Sequence, residues 1–273
     1  MYDPQSPLSP KGFWSNGSST KELALVANEA EARILSQATR VDEAGVILRS
    51  AQKAAVVVIK RGHRGASVFT DSGVTRIPAY RTRSAFLIGS GDIFSAEFAY
   101  RWLMENCNPE KAAEFASLAV AYYSQNPSLP VARTLPNNFK PDVISVDENK
   151  QRVVYLAGPF FNMSQLWMVE ETFSQLSSHG LKVFSPFHEI GVGKPEEVVR
   201  QDIDAIAKGD GLFALLDGYD AGTLFEIGFA RALNKPVTIL ITSKDRANLA
   251  MLVGTGCDVF HDFASAVNWE ASR

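Results

Sequence analysis

The second half of the chain alternates short apolar segments with amphipathic ones, and this alternation restricts the fold more than any other feature of the sequence. The apolar segments predict strands and the amphipathic segments predict helices. The predicted strands cover residues 152–157, 181–185, 211–216 and 236–241, and the predicted helices cover 164–179, 195–208 and 223–234. Such an order implies a mostly parallel sheet covered on both faces. In sheets of this kind ligands bind beyond the carboxyl ends of the strands, where we look for functional residues.

The first half predicts a second α/β unit with a different order of elements. Its predicted helices cover residues 21–35, 92–105 and 109–125, and its predicted strands cover 54–60, 66–70 and 74–77. The stretch from Asn126 to Lys150 contains four prolines and shows little periodicity, which predicts a linker. We therefore expect two domains, over residues 1–148 and 149–273, with the linker at about 126–148.

Composition and charge exclude several classes of protein. The 273 residues carry a formal net charge of −3, and the isoelectric point of about 5.9 argues against nucleic-acid binding. The sequence has neither an apolar run long enough for a membrane span nor a signal-peptide pattern. Cys107 and Cys257 lack further ligands at metal spacing, which favours free thiols in a reducing compartment over a long-range disulfide. We expect a cytoplasmic protein whose side chains form no metal site.

The first of three candidate segments follows the strand predicted at 152–157. Tyr155–Phe161 has the sequence YLAGPFF. The small residues Ala157 and Gly158 would let a ligand approach the backbone, and Phe160 and Phe161 would grip a flat base. The alternative is a strand end with a proline turn and phenylalanines in the core.

The other two candidate segments supply carboxylates. Residues 201–206 (QDIDAI) carry Asp202 on a predicted helix, where a carboxylate usually belongs to a solvated face. Residues 217–230 (DGYDAGTLFEIGFA) place Asp220 near a helix cap and Glu226 one to two turns further on. Glu226 has apolar neighbours in the sequence, and a buried carboxylate is costly unless it has a partner or a function. The alternative is an exposed glutamate on an amphipathic helix.

Together these segments resemble the nucleoside 2-deoxyribosyltransferases and their N-glycoside hydrolase relatives. The resemblance covers residues 152–250 through YLAGPFF, QDIDAI and DAGTLFEIGFA, in the family's order and spacing. It implies a doubly wound, flavodoxin-like sheet. It also implies that Glu226 attacks the anomeric carbon and forms a glycosyl-enzyme ester, as in retaining glycosidases. Asp202 and Asp220 would hold the base and assist protonation of its leaving nitrogen, and Tyr155 would orient Glu226.

The same resemblance implies the substrate contacts and the partners. The implied contacts come from Ala157, Gly158, Phe160, Phe161 and Gly222, and from Asn248 on a sugar hydroxyl. In some members the asparagine that matches Asn248 is donated across a subunit interface, so the resemblance implies a homo-oligomer. The substrate would be a nucleoside or nucleoside 5′-monophosphate, and the reaction would need neither a metal nor an organic cofactor. Transfer to a second base and hydrolysis by water both stay open.

The first half resembles the C-terminal part of ribokinase-like (PfkB) sugar kinases. Residues 28–31 (NEAE) look like their N-x-x-E element, residues 58–66 (VIKRGHRGA) like their strand and turn before the nucleotide site, and residues 89–94 (GSGDIF) like their G-A-G-D-x-F loop. In that family the loop forms an anion hole at a helix N-terminus, and Asp92 would be the base. The implied site residues are Asn28, Glu31, Gly89, Gly91 and Asp92. The alternative is a glycine turn with an aspartate that caps a helix.

We expect this half to be a partial ribokinase-like module without kinase activity, because the family's sugar-recognition half finds no match in this chain. The resemblance implies ATP and Mg²⁺ as its ligands. The sequence as a whole therefore predicts a truncated kinase module fused to an N-glycosyl transferase or hydrolase. Two other functions stay open, namely a sugar or nucleoside kinase completed by a partner chain and a non-catalytic nucleotide sensor.

Overall fold

The computed structural model describes residues 1–6, 8–145, 150–189, 195–242 and 249–273, and within these ranges all side chains except those of residues 16 and 195–198. The chain divides into two compact units, Met1–Ser145 and Val146–Arg273, which we call the N-terminal and the C-terminal unit. Each unit has its own sheet and its own hydrophobic core. Within the described ranges, no helix combines the length and the apolarity that crossing a membrane requires.

The N-terminal unit is a four-stranded sheet with helices on both faces. Its elements are β1 (Ala24–Asn28), α1 (Glu29–Ser36), α2 (Val41–Ala51), β2 (Val56–Lys60), β3 (Ala66–Thr70), β4 (Gly73–Ile77), α3 (Ser90–Ala99, continued by a π-helical turn over Tyr100–Met104) and α4 (Pro109–Gln125). The strand order is β1-β2-β3-β4, in which β1 and β2 are parallel and the other pairs are antiparallel. One core lies under α1 and α2 and a second under α3 and α4. The predicted strands and the two later helices of this half are confirmed.

The helix predicted over residues 21–35 is wrong in its first half. Residues 24–28 form β1, and the helix begins only at Glu29. The apolar residues of β1 alternate between the two cores, with Leu25 in one and Val26 in the other, so the run is buried on both faces as a parallel strand requires. Helix α2 was not predicted.

The segment predicted as a linker packs in part against the N-terminal unit. The described residues 126–145 form neither a helix nor a strand, but Ile144 is buried and its N–H donates to the carbonyl of Ala79 at 2.9 Å. The N–H of Arg81 donates to the carbonyl of Asp142 at 2.7 Å. These backbone hydrogen bonds hold the end of the segment against the N-terminal unit. The irregular sequence of the segment does not predict that contact.

The C-terminal unit is a five-stranded parallel sheet with helices on both faces. Its elements are β5 (Val153–Ala157), α5 (Met163–Ser178), β6 (Lys182–Phe184), α6 (Pro186–Glu189), α7 (Pro195–Lys208), β7 (Gly211–Leu216), α8 (Ala221–Ala232), β8 (Val237–Ile241), α9 (Ala250–Gly254), β9 (Asp258–Phe260) and α10 (Phe263–Ala271). The strand order β6-β5-β7-β8-β9 is the flavodoxin-like order of a doubly wound sheet, as predicted. The three-residue strand β9 and helices α6, α9 and α10 were not predicted.

A buried charged network lies at the amino ends of these strands. Glu270 of α10 is fully buried and accepts a hydrogen bond of 2.6 Å from Thr238 and one of 2.7 Å from Arg152. Arg273 lies 3.3 Å from the same carboxylate and also pairs with Asp258. One glutamate thus joins β5, β8 and β9 to the last helix.

We expect Glu270→Gln to lower the free energy of unfolding by about 3 kcal/mol, because it removes a buried charge that pairs with two half-buried arginines and leaves Arg152 without its counter-charge. Urea denaturation of the full chain measures the effect. The matched control is Asp204→Asn, which breaks an exposed pair with Lys208 (3.8 Å) and should cost under about 1 kcal/mol. Equal losses in the two variants would show that the network does not stabilise the unit.

Candidate active site

The sheet of the C-terminal unit has its switch point between β5 and β7. The chain leaves β5 through α5 toward β6 on one side, and it leaves β7 through α8 toward β8 on the other. The loops that follow these two strands therefore diverge and leave a crevice at the carboxyl ends, which is where ligands bind in such folds. The predicted segments 158–161 and 217–220 both lie at this crevice.

The structure joins Tyr155 and Glu226 by a short hydrogen bond. The Tyr155 hydroxyl donates to Oε1 of Glu226 at 2.6 Å. Tyr155 lies on β5, is fully buried, and stacks on Phe184 with ring centroids 5.7 Å apart. Glu226 lies in the second turn of α8 and is half-buried, so it is not the exposed glutamate of the alternative interpretation.

The surroundings of Glu226 disfavour its charged form. Burial raises the pKa of the Glu226 carboxyl to about 7, the Tyr155 hydrogen bond acts in the opposite direction, and the neighbouring charges of Asp202 and Asp220 add to the rise. Burial also raises the pKa of the Tyr155 hydroxyl, and the charge of Glu226 adds to that rise. Tyr155 therefore stays protonated and acts as a donor near neutral pH.

Asp202 reaches the same place from α7. Burial raises the pKa of its carboxyl, and a hydrogen-bonding interaction with the Tyr155 hydroxyl partly offsets this. Its Oδ1 is buried and has no hydrogen-bond partner among the described residues. A buried carboxylate oxygen without a partner in the described part of the chain is a candidate for contact with a ligand.

Asp220 caps the helix that carries Glu226. Its Oδ2 accepts hydrogen bonds from the backbone N–H and the hydroxyl of Thr223, at 2.8 and 2.9 Å. A Cβ at Gly222 would approach this oxygen to 3.2 Å, so the glycine leaves room for the cap. Asp220 thus has a structural function, and its predicted contact with the base stays a prediction.

The residues predicted to line the substrate pocket fall into two groups. Phe160 and Phe161 are 39% and 77% exposed, so the alternative interpretation as core phenylalanines is wrong, and their rings lie 5.7 Å apart. Ala157 is buried in the core, and a Cβ on Gly158 would come within 2.9 Å of the Leu215 side chain. The sheet's packing thus requires small residues at both positions. Asn248 lies outside the described residues.

One carboxylate at the crevice received no function from the sequence. Asp217 follows β7 directly and accepts hydrogen bonds from Gln165 at 2.9 Å and from Thr242 at 2.7 Å. The hydrogen bond from Gln165, and then that from Thr242, lowers the pKa of the Asp217 carboxyl. Its position directly after a predicted strand was the sequence signal that could have identified it. Among the described residues no three His, Cys, Asp or Glu side chains converge as a metal site would require.

The residues predicted for a kinase site make their contacts within the N-terminal unit. Asn28 and Glu31 form a capping box at the start of α1, with hydrogen bonds of 2.8 and 2.9 Å. Gly89 adopts a left-handed backbone conformation immediately before α3, with φ of 78°. Asp92 accepts a hydrogen bond of 2.8 Å from Gln5.

Lys60 connects the start of α3 to the end of β2. Its ammonium group lies 2.9 Å from Asp3 and 3.2 Å from the Ser95 hydroxyl, and a Cβ at Gly91 would lie 3.7 Å from it. The glycine turn of the alternative interpretation is therefore present. The aspartate cap is not, because Gly89 is the N-cap of α3 and Asp92 lies in the first turn without a capping hydrogen bond among the described residues. The kinase assignment of these residues stays a prediction.

Two family models match the chain, one in each unit. The model of the nucleoside 2-deoxyribosyltransferases matches residues 154–268, and that of the pfkB family carbohydrate kinases matches residues 23–130. A curated relative, the 5-dehydro-2-deoxygluconokinase of Listeria innocua, is 35% identical over 85 residues, which are 29% of this chain and 26% of that protein. The match thus spans about a quarter of that relative's length.

Solved structures similar to the chain also fall into two groups. A 2-deoxyribosyltransferase from Bacillus psychrosaccharolyticus is 33% identical, with a TM-score of 0.36 over 40% of this chain and 86% of that chain. The Clostridium botulinum CMP N-glycosidase is 22% identical, with a TM-score of 0.32 over 44% and 97%. Thermotoga maritima ribokinase is 25% identical, with a TM-score of 0.35 over 40% and 37%. By the family models, the C-terminal unit resembles the nucleoside 2-deoxyribosyltransferases and the N-terminal unit resembles the pfkB family carbohydrate kinases.

Proposed function

We propose that the C-terminal unit cleaves or exchanges the N-glycosidic bond of a nucleoside or nucleoside 5′-monophosphate through a glycosyl-enzyme intermediate on Glu226. The observation that carries this proposal is the 2.6 Å hydrogen bond from buried Tyr155 to Glu226 beside the carboxylates of Asp202 and Asp220. The family match over residues 154–268 supports the same class of reaction.

In the first step the Glu226 carboxylate forms a bond to C1′ of the sugar while the bond from C1′ to the base nitrogen breaks. Tyr155 holds one carboxylate oxygen and leaves the other for the attack. The departing base takes the electron pair of the broken bond, and the Asp202 carboxyl supplies a proton to the base. Burial raises the pKa of Asp202 and so favours the protonated form that this step requires. The product is a glycosyl ester of Glu226.

In the second step water or a second base attacks C1′, and the ester bond to Glu226 breaks. The Asp202 carboxylate accepts the proton that the incoming group loses, and Glu226 returns to its charged form. Hydrolysis and transfer share these residues and differ only in the incoming group. Because side chains supply the nucleophile and the proton, this mechanism uses no metal or organic cofactor.

The exposed aromatic pair and the crevice loops supply the binding surface. Phe160 and Phe161 would stack on the base, and Asp220 would contact it at the cap of α8. Asn248 would contact a sugar hydroxyl. In a homo-oligomer, Asn248 of one copy would make this contact with the substrate in the crevice of a second copy.

We expect Glu226→Ala to slow base release at least about 100-fold relative to the wild-type protein, because the variant lacks the nucleophile. The measurement is liberation or exchange of base from a panel of ribo- and deoxyribonucleosides and their monophosphates, with and without a second free base. The matched control, Asp204→Ala, removes an exposed carboxylate from the helix of Asp202 and should keep full activity. Failure of the wild-type protein to release base from any member of the panel would contradict the proposal.

The pH dependence should report the ionisation of Glu226. Glu226 must be charged to attack and Asp202 must be protonated to donate, so kcat/KM should pass through a maximum in pH, and the limb that reports Glu226 should lie at about 7. Tyr155→Phe removes the hydrogen bond that holds the pKa of Glu226 down, so we expect this limb to shift toward higher pH. The variant should therefore lose the most activity, relative to the wild-type protein, at acidic pH. An unchanged pH profile in Tyr155→Phe would show that the Tyr155 hydroxyl does not set the pKa of Glu226.

A further inference from the structure

Asp217 lies at the end of β7 and joins it to the end of β8 and the start of α5. It follows β7 directly, and each of its carboxylate oxygens accepts a hydrogen bond from a different element. Oδ1 accepts from the hydroxyl of Thr242, the first residue after β8, at 2.7 Å. Oδ2 accepts from the side-chain amide of Gln165, in the first turn of α5, at 2.9 Å. These hydrogen bonds lower the pKa of the Asp217 carboxyl, so it is charged at neutral pH and the bonds are charge-assisted.

Gln165 carries the connection on to the loop after β5. Its amide oxygen accepts the backbone N–H of Phe161 at 3.1 Å. Its own backbone N–H donates to the capping side chain of Asn162 at 3.0 Å. Asp217, Gln165 and the backbone of Phe161 therefore form a continuous chain of hydrogen bonds that ends at the exposed aromatic pair.

We propose that Asp217 is a positioning residue that holds the aromatic loop, residues 158–162, in the conformation that binds the base. This inference rests on the proposed function, because that function assigns base stacking to Phe160 and Phe161. Asp217 has no contact with Glu226 or Tyr155 among the interactions of the described residues. It therefore acts on binding of the base through Gln165 and not on the chemical step.

The chemistry of the amide explains why a carboxylate is needed at this position. Gln165 must direct its oxygen toward the N–H of Phe161, which turns its NH₂ group toward residue 217. An acceptor at 217 satisfies that NH₂, and the charge of an ionised aspartate strengthens both this hydrogen bond and the one from Thr242. Asp217→Leu, with a side chain of similar size, removes both acceptors. The NH₂ of Gln165 then has no partner at 217 that holds the amide in the orientation that accepts from Phe161.

A reciprocal exchange tests the direction of these hydrogen bonds. In the double variant Asp217→Asn, Gln165→Glu the asparagine NH₂ donates to the glutamate, and its oxygen accepts from Thr242. The glutamate also accepts from Phe161. All three hydrogen bonds and the net charge are then restored, with donor and acceptor exchanged only between residues 165 and 217. The single variant Gln165→Glu sets two carboxylates against each other instead.

The experiment measures binding in the Glu226→Ala background, where no substrate is consumed. Isothermal calorimetry with the panel of ribo- and deoxyribonucleosides and their monophosphates gives the dissociation constants, and thermal unfolding shows that each variant is folded. We expect Asp217→Leu and Gln165→Glu each to weaken binding about tenfold, the effect of losing one charge-assisted hydrogen bond. The double variant should bind within about threefold of the parent. In an otherwise wild-type background, the single variants should raise KM and leave kcat within about threefold.

Each other outcome contradicts a specific claim. If Glu226→Ala binds a member of the panel and neither single variant weakens that binding, the positioning function of Asp217 is wrong and the proposed reaction stands. If the double variant binds as poorly as the single ones, the hydrogen-bond direction is wrong. If a single variant fails to fold, Gln165→Met, which removes both side-chain hydrogen bonds without a repulsion, replaces it. If the parent binds no member of the panel, both the proposed function and this inference fail.

Discussion

The hydrogen bond between buried Tyr155 and Glu226 is the contact on which the proposed chemistry of the C-terminal unit depends. A carboxylate loses solvation when it is buried, and here burial raises the pKa of Glu226 to about 7. The tyrosine hydrogen bond lowers this pKa and so increases the charged fraction of the carboxyl, which is the form that attacks in the proposed mechanism. The same hydrogen bond fixes one of the two carboxylate oxygens.

The sheet determines where these groups meet. Tyr155 lies on β5, Asp202 on α7 and Glu226 on α8, and only the doubly wound order brings all three elements to one face beside the switch point. The remaining acids serve the structure: Asp220 caps α8, and Asp217 joins the end of β7 to the end of β8 and the start of α5. Two carboxylates are thus kept near the reaction centre while two others are committed to hydrogen bonds that hold the loops.

The sequence predicted the C-terminal sheet well because strand and helix periodicities there agree with burial. The prediction failed at β1. This strand is buried on both faces, so its residues do not alternate between apolar and polar, and their spacing also fits a helix. The family resemblance implied that Tyr155 orients Glu226, but no local sequence pattern could predict their contact, because it joins residues 71 positions apart. Asp217 and Gln165 were missed for the same reason. Their function depends on hydrogen bonds between loops that are separate in sequence, and no local pattern records such contacts.

The most direct measurement is to trap the intermediate. A 2′-deoxy-2′-fluoroarabinonucleoside slows breakdown of a glycosyl ester, because fluorine destabilises the positive charge that develops at C1′. Mass spectrometry of the protein after incubation, followed by peptide mapping, would locate any adduct. This mechanism predicts a mass increase equal to one fluorosugar on the peptide that contains Glu226, and its absence in Glu226→Ala. An adduct on a different residue, or base release by the wild-type protein without any adduct, would contradict a covalent mechanism on Glu226.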